Sequence, residues 1–197
     1  VGANSADALT TGNLNVAMGY NALGKDTIGI STVAIGDNAG SQQVFGSAGA
    51  TSNVLVGSGA GFWNVTGGSN TYLGAGAGTG ASGQSNSNNT GVGKGALTAI
   101  TTGGNNVAVG SGSSDAITSG ADNVSLGKNS LSALTIGGHN IAVGSQALGV
   151  LNGSGSTNSA GNRNIGIGGY ALGNLKGTHA DAFSNDNIAI GTEAGLA

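Results

Sequence analysis

One short phrase recurs along this chain and leaves few folds open to it. Residues 15–24 read NVAMGYNALG, residues 140–149 read NIAVGSQALG, and residues 187–195 read NIAIGTEAG. The shared pattern is Asn, a branched residue or Thr, a variable residue, an apolar residue and Gly. Two variable residues follow, then a small residue and Leu or Gly. The Gly falls at Gly2, Gly19, Gly36, Gly57, Gly74, Gly93, Gly110, Gly127, Gly144, Gly168 and Gly191, at spacings of 17, 17, 21, 17, 19, 17, 17, 17, 24 and 23. No spacing is below 17, so the pattern reads as a solenoid with a 17-residue base coil and occasional insertions. Residues 1–197 form a single repeat segment that opens and closes inside a copy, and are expected to be a piece of a longer fibre protein.

Composition supports an ordered β-repeat. Gly accounts for 42 of 197 residues and Pro is absent, which excludes collagen. Only 7% of residues are charged, and Val, Ile and Leu are regularly placed, unlike a disordered chain. The five basic residues, Lys25, Lys94, Lys128, Arg163 and Lys176, are scattered and form no phosphate-neutralising patch, so no nucleic-acid partner is expected. No apolar run approaches a membrane span, so this segment is not expected to insert into a bilayer. With no Cys there is no disulfide framework.

Alternation within each copy, as in Asn106 to Gly110, predicts a short strand with Val107 and Val109 on one face and Ala108 on the other. The branched columns, Val16 to Ile188 and Met18 to Ile190, are expected to line the interior. The small column through Ala17, Ala34, Ala108, Ser125, Ala142 and Ala189 is expected outside, where another copy could approach closely. A second strand is expected near the Ala-Leu portion, as in Ala147-Leu148. The recurrent Gly calls for a turn with positive φ or no room for Cβ. Asn15, Asn53, Asn70, Asn89, Asn106, Asn123, Asn140, Asn164 and Asn187 open nearly every copy, Thr32 breaking the row. Stacked Asn side chains can bond one another as a ladder.

The chain offers little to catalysis. His139 and His179 lack metal-ligand spacing, and His139 occupies a turn slot. There is no Gly-x-Ser-x-Gly elbow and no Cys nucleophile. GTGASG at 78–83 matches a dinucleotide fingerprint only because Gly is so abundant, and no Gly-Lys pair is followed by Ser or Thr. The acids are dispersed, with near pairs such as Asp115/Asp122 and Asp181/Asp186 in turns, so a carbohydrate-active solenoid enzyme finds weak support. No catalytic residue, metal or cofactor is expected. Insertions fall near Val44-Phe45 and at 82–87, 151–161 and 176–186. Phe62 and Trp63, in a coil of normal length, and His179 and Phe183, in the last insertion, are the candidate binding residues. Aromatics with polar neighbours could stack on the sugars of a surface glycan or meet a protein receptor; gap-filling is the competing reading.

NVAMGYNALG, NIAVGSQALG and NVSLGKNSL, joined by TTGNLN or TTGGNN, resemble the Asn-x-Ala-x-Gly-x-x-Ala-Leu repeats of phage tail fibres. They are also similar to the head repeats of trimeric autotransporter adhesins of the Yersinia adhesin type, whose coils are shorter. The 17-residue base and the recurrent Ala-Leu favour the tail-fibre type. Both resemblances imply an all-β, left-handed parallel β-roll, a β-solenoid assembled as an intertwined or side-by-side homotrimer. They imply a structural role in an extended fibre on a virion, outside the cell, with other fibre or tail segments as partners and host contacts through loops. The alternative is an adhesin head on a bacterial cell surface.

Overall fold

The structure is a computed structural model and describes residues 1–45, 51–150, 152–153, 161–174, 176–177 and 185–196, the two dipeptides by backbone alone. Its elements are β1 (Val16–Met18), β2 (Val33–Ile35), β3 (Val54–Val56), β4 (Thr71–Leu73), β5 (Thr90–Val92), β6 (Val107–Val109), β7 (Val124–Leu126), β8 (Ile141–Val143), β9 (Asn152–Gly153), β10 (Ile165–Ile167), β11 (Lys176–Gly177) and β12 (Ile188–Ile190). Ten of them stack in chain order as one parallel sheet, and β9 pairs separately with β11. The register sets Val16 beside Val33, Val33 beside Val54 and so on to Ile165 beside Ile188. Each repeat is therefore one rung of a β-solenoid, and residues beyond the 17-residue base do not shift the register.

The glycine column fixes the corner after each strand. From Gly2 to Gly191 these residues have φ between +126° and +141°, a region open essentially to Gly. A Cβ on Gly110 would stand 2.4 Å from the carbonyl oxygen of Gly127 on the next rung, and Gly19 and Gly168 meet their upper neighbours as closely. Both reasons suggested by the sequence, conformation and space, thus hold at once.

The Asn column forms the expected ladder. Each Oδ1 accepts from the backbone N–H and the Nδ2 of the Asn one rung up, as Asn106 does from Asn123 at 3.1 and 3.0 Å and Asn123 from Asn140 at 3.1 and 2.9 Å. Asn123 Nδ2 also donates to the carbonyls of Ala121 and Gly137. At the break, Thr32 N donates to Asn15 Oδ1 at 2.9 Å, and the Thr32 hydroxyl bonds that of Thr51.

Two expectations about the walls are corrected. The interior belongs to the small column: Ala34, Leu55, Tyr72, Ala108, Ser125 and Ala142 are buried, while the branched residues on either side face out. A three-residue strand has one inward position, and a one-residue change of phase exchanges the faces completely. The carbon that fills the interior comes from the opposite wall, through Leu23, Leu97, Leu131 and Leu148 of the Ala-Leu portion, and from Ile100, Ile117 and Leu134. That wall is not a continuous second strand either, although β9 and β11 pair just after Ala147-Leu148 and Ala171-Leu172. It is a stack of turns tied rung to rung by single bonds, such as Leu23 N to Ala39 O at 3.0 Å and Leu131 N to Ala147 O at 2.9 Å.

The two walls compensate each other in size. Where the strand places Leu55 or Tyr72 inside, the facing turn has Gly61 or Gly78; a Cβ there would lie 2.7 Å from Leu55 Cδ2 or 2.3 Å from the Tyr72 ring. Where the strand offers Ala142 or Ser125, the turn supplies Leu148 or Leu131. Those Leu residues adopt left-handed backbone, with φ 50° at Leu148 and 54° at Leu131. That conformation costs about 1–2 kcal/mol. Burying a Leu side chain returns about 1.5–3 kcal/mol, enough to hold it there.

Candidate interaction face

Since one strand residue points in, two point out, and their stacking makes the most distinctive surface of the molecule. The first outward column runs Val16, Val33, Val54, Thr71, Thr90, Val107, Val124, Ile141, Ile165 and Ile188. The second runs Met18, Ile35, Val56, Leu73, Val92, Val109, Leu126, Val143, Ile167 and Ile190. Exposure reaches 38% at Val109 and Leu126 mid-sheet and 70% at Ile190 on the last rung. Ten rungs about 4.8 Å apart make this face roughly 45 Å long. No charged side chain interrupts either column. An uncharged, regularly ridged apolar strip of this length is of the kind that marks interaction surfaces.

Beside this face, charge stands only at the margins. Asp122 precedes β7 and Lys128 follows it, both exposed, with Asn105 Nδ2 donating to Asp122 Oδ1 at 3.2 Å. Lower on the margin that follows the strands lie Asp37 and Lys94. On the other margin Arg163 donates through Nε and Nη2 to the two carboxylate oxygens of Asp186, at 2.6 and 2.8 Å, raising the Arg163 pKa and lowering that of Asp186. His139 is exposed in the margin turn with φ 59°, as its slot implied.

Of the four binding candidates, Phe62 and Trp63 are described and His179 and Phe183 lie outside the described residues. The two rings meet edge to face, centroids 4.7 Å apart and planes at 88°. Both are half-buried in the turn wall; Trp63 N donates to Thr79 O at 2.8 Å and its Cβ lies beside Gly80. This packing leaves neither ring as a fully open stacking platform. Asp115 and Asp122 occupy turns, and Asp181 lies outside the described residues. Among the described residues there is no pocket, no cluster of three or more His or acidic side chains able to hold a metal, and no helix long and apolar enough to cross a membrane. The Asn-x-Ser/Thr triplets Asn64-Val65-Thr66 and Asn123-Val124-Ser125, formal glycosylation sites expected by chance in such a repeat, both begin with a buried Asn.

Sequence reasoning found every residue of the outward columns and gave them the wrong side. The signal it lacked was the inverse size relation between Leu55 and Gly61, or Tyr72 and Gly78, which shows that on those rungs the strand and the facing turn share one interior space. No family model matches the chain, and no curated protein and no solved structure shows detectable similarity to it.

Proposed function

We propose that this chain is a non-enzymatic shaft segment of an extended fibre, in which three copies pack through their Val/Ile faces as left-handed β-rolls. The observation that supports it most is the charge-free outward face, two side chains wide and ten rungs long. A thin solenoid has much surface for its volume, and this strip is a long apolar area it can still remove from water. The packing surface is thus the branched face, in place of the small-residue face expected at first. Together with the resemblance of the repeats, this favours a phage tail fibre, outside the cell on the virion, joined to other fibre segments. An adhesin head on a bacterial surface is the second reading, and rests on the resemblance of its head repeats. Contacts with a host glycan or protein receptor would belong to the insertions, the packed Phe62-Trp63 pair serving the turn wall.

Sedimentation equilibrium of the purified chain tests the assembly. The expected mass is three times the 18.4 kDa of one copy. A monomer at micromolar concentration, with the fold intact by circular dichroism, would end the proposal.

A further inference from the structure

Two carboxyl oxygens among the described residues are buried without a hydrogen-bond partner, Asp26 Oδ2 and Asp115 Oδ1, and Asp26 is the more completely enclosed residue. Asp26 is fully buried, and it is the only buried charged residue among the described ones. Its Oδ1 accepts from Gly29 N at 3.0 Å, while Oδ2 is buried with no hydrogen-bond partner. Oδ2 lies where a Gly29 Cβ would be, 2.0 Å from that position.

Two rungs up, the same slot is occupied by Asn64 and shows what it requires. Asn64 Oδ1 accepts from Gly67 N at 3.2 Å, as Asp26 Oδ1 does from Gly29 N. Asn64 Nδ2 then donates to Gly67 O at 3.1 Å, a carbonyl that also accepts from Asn53 Nδ2 at 2.9 Å. On the Asp26 rung the matching carbonyl, Gly29 O, accepts from Asn15 Nδ2 at 2.7 Å. Its second lone pair is left for another donor. A carboxylate has no proton to give it; a carboxylic acid does.

No countercharge relieves the group. The adjacent Lys25 is exposed and donates to Gln42 Oε1 at 2.6 Å. The residue above in the interior column is Gln43, and Thr32 and Thr51 complete that region; all are neutral. Asp7 on the rung below and Asp37 on the rung above are exposed acids. Burial accordingly pushes the Asp26 carboxyl up, against weaker pulls from the backbone N–H groups of Gly29, Ile28 and Thr27 and from the Gln43 side chain.

We propose that Asp26 is a pH-operated lock on the N-terminal rungs: protonated, its Oδ2–H closes onto Gly29 O and seals the coil, and ionised, it loosens the rungs spanning residues 6–44. The folded form binds the proton more tightly than the unfolded chain. The lock is therefore fully engaged below the ordinary aspartate pKa and is lost as pH rises through the elevated one.

Hydrogen exchange resolved by peptide, corrected for intrinsic rates and followed from pH 4.5 to 8 on the 197-residue chain, tests this against Asp26→Asn. Protection of residues 6–44 in the parent is expected to fall at least tenfold as pH rises, relative to residues 64–92 of the same molecule, which contain no Asp, Glu or His. In the variant the ratio should stay flat at its low-pH value, because the amide supplies the missing donor as Asn64 does. Identical pH profiles for parent and variant would overturn the proposal. Should the variant fail to fold, carbon-detected titration of the Asp26 carboxyl in the parent decides. A midpoint clearly above the ordinary aspartate value supports the lock, and one at or below it overturns it.

Discussion

At the scale of single residues, two columns carry the fold because they do what no substitute can. Gly110 combines φ +135° with a contact to Gly127 O that leaves no space for a methyl group. Gly110→Ala is expected to cost about 3 kcal/mol or more, from backbone strain together with displacement of a rung, read as a lowered Tm. Asn123→Ala strips the partner from the Asn140 N–H, which is buried at 0% exposure with its residue. An orphaned donor costs about 1–3 kcal/mol, and urea denaturation should show at least that loss. Trp63→Ala, in a half-buried edge-to-face pair, should lower stability by about 1–3 kcal/mol while leaving attachment to cells or glycans unchanged. A folded variant that loses attachment would restore the aromatic pair as a receptor contact. These columns were legible because Gly and Asn recur at the same offset in nearly every copy. The left-handed backbone of Leu131 and Leu148 was not, since Leu avoids it unless burial elsewhere compensates.

At the scale of the coil, the alternation of NVAVG was readable but its phase was not. Two branched residues per strand look like a better core than one Ala, and only the Leu carried by the opposite turn shows that the inside is full. The same reasoning explains the missing continuous second strand, for a wall that must present Ala22 and Leu23 inward in succession cannot alternate like a pleated strand. It also makes a quantitative test. Gly61→Leu alone should destabilise the solenoid, since Leu55 already occupies the space. Leu55→Ala alone should cost about 2–5 kcal/mol. The double variant recreates the Ala142 and Leu148 arrangement, and its loss should be smaller than the sum of the two by about 1–3 kcal/mol in a double-mutant cycle. Strict additivity would show that the two walls do not share one volume.

For the molecule as a whole, the outward columns are where the proposed assembly is tested. Val109→Glu places a charge in the middle of the strip, where Val109 is 38% exposed. Within a single copy the change should stay within about 0.5 kcal/mol of the parent, as for most surface substitutions. If three copies meet there, the variant should sediment as a monomer while its far-ultraviolet spectrum is unchanged. An unaltered trimer would move the contact to another face. The margin charges offer a finer reading, because Asp122 and Lys128 stand on opposite sides of the same rung. Lys128→Asp should weaken assembly at low salt, and Asp122→Lys in the same chain should restore it if neighbouring copies are level with one another.

The contact between successive glycine corners has a last consequence. The short repeat from Asn106 to Asn123 and the long one from Asn140 to Asn164 each raise the stack by one strand spacing, because the corner sets the step whatever length of chain lies between corners. Reach along the axis is thus counted in corners. Such a protein can acquire new decoration, lose it or exchange it while the distance it spans stays the same.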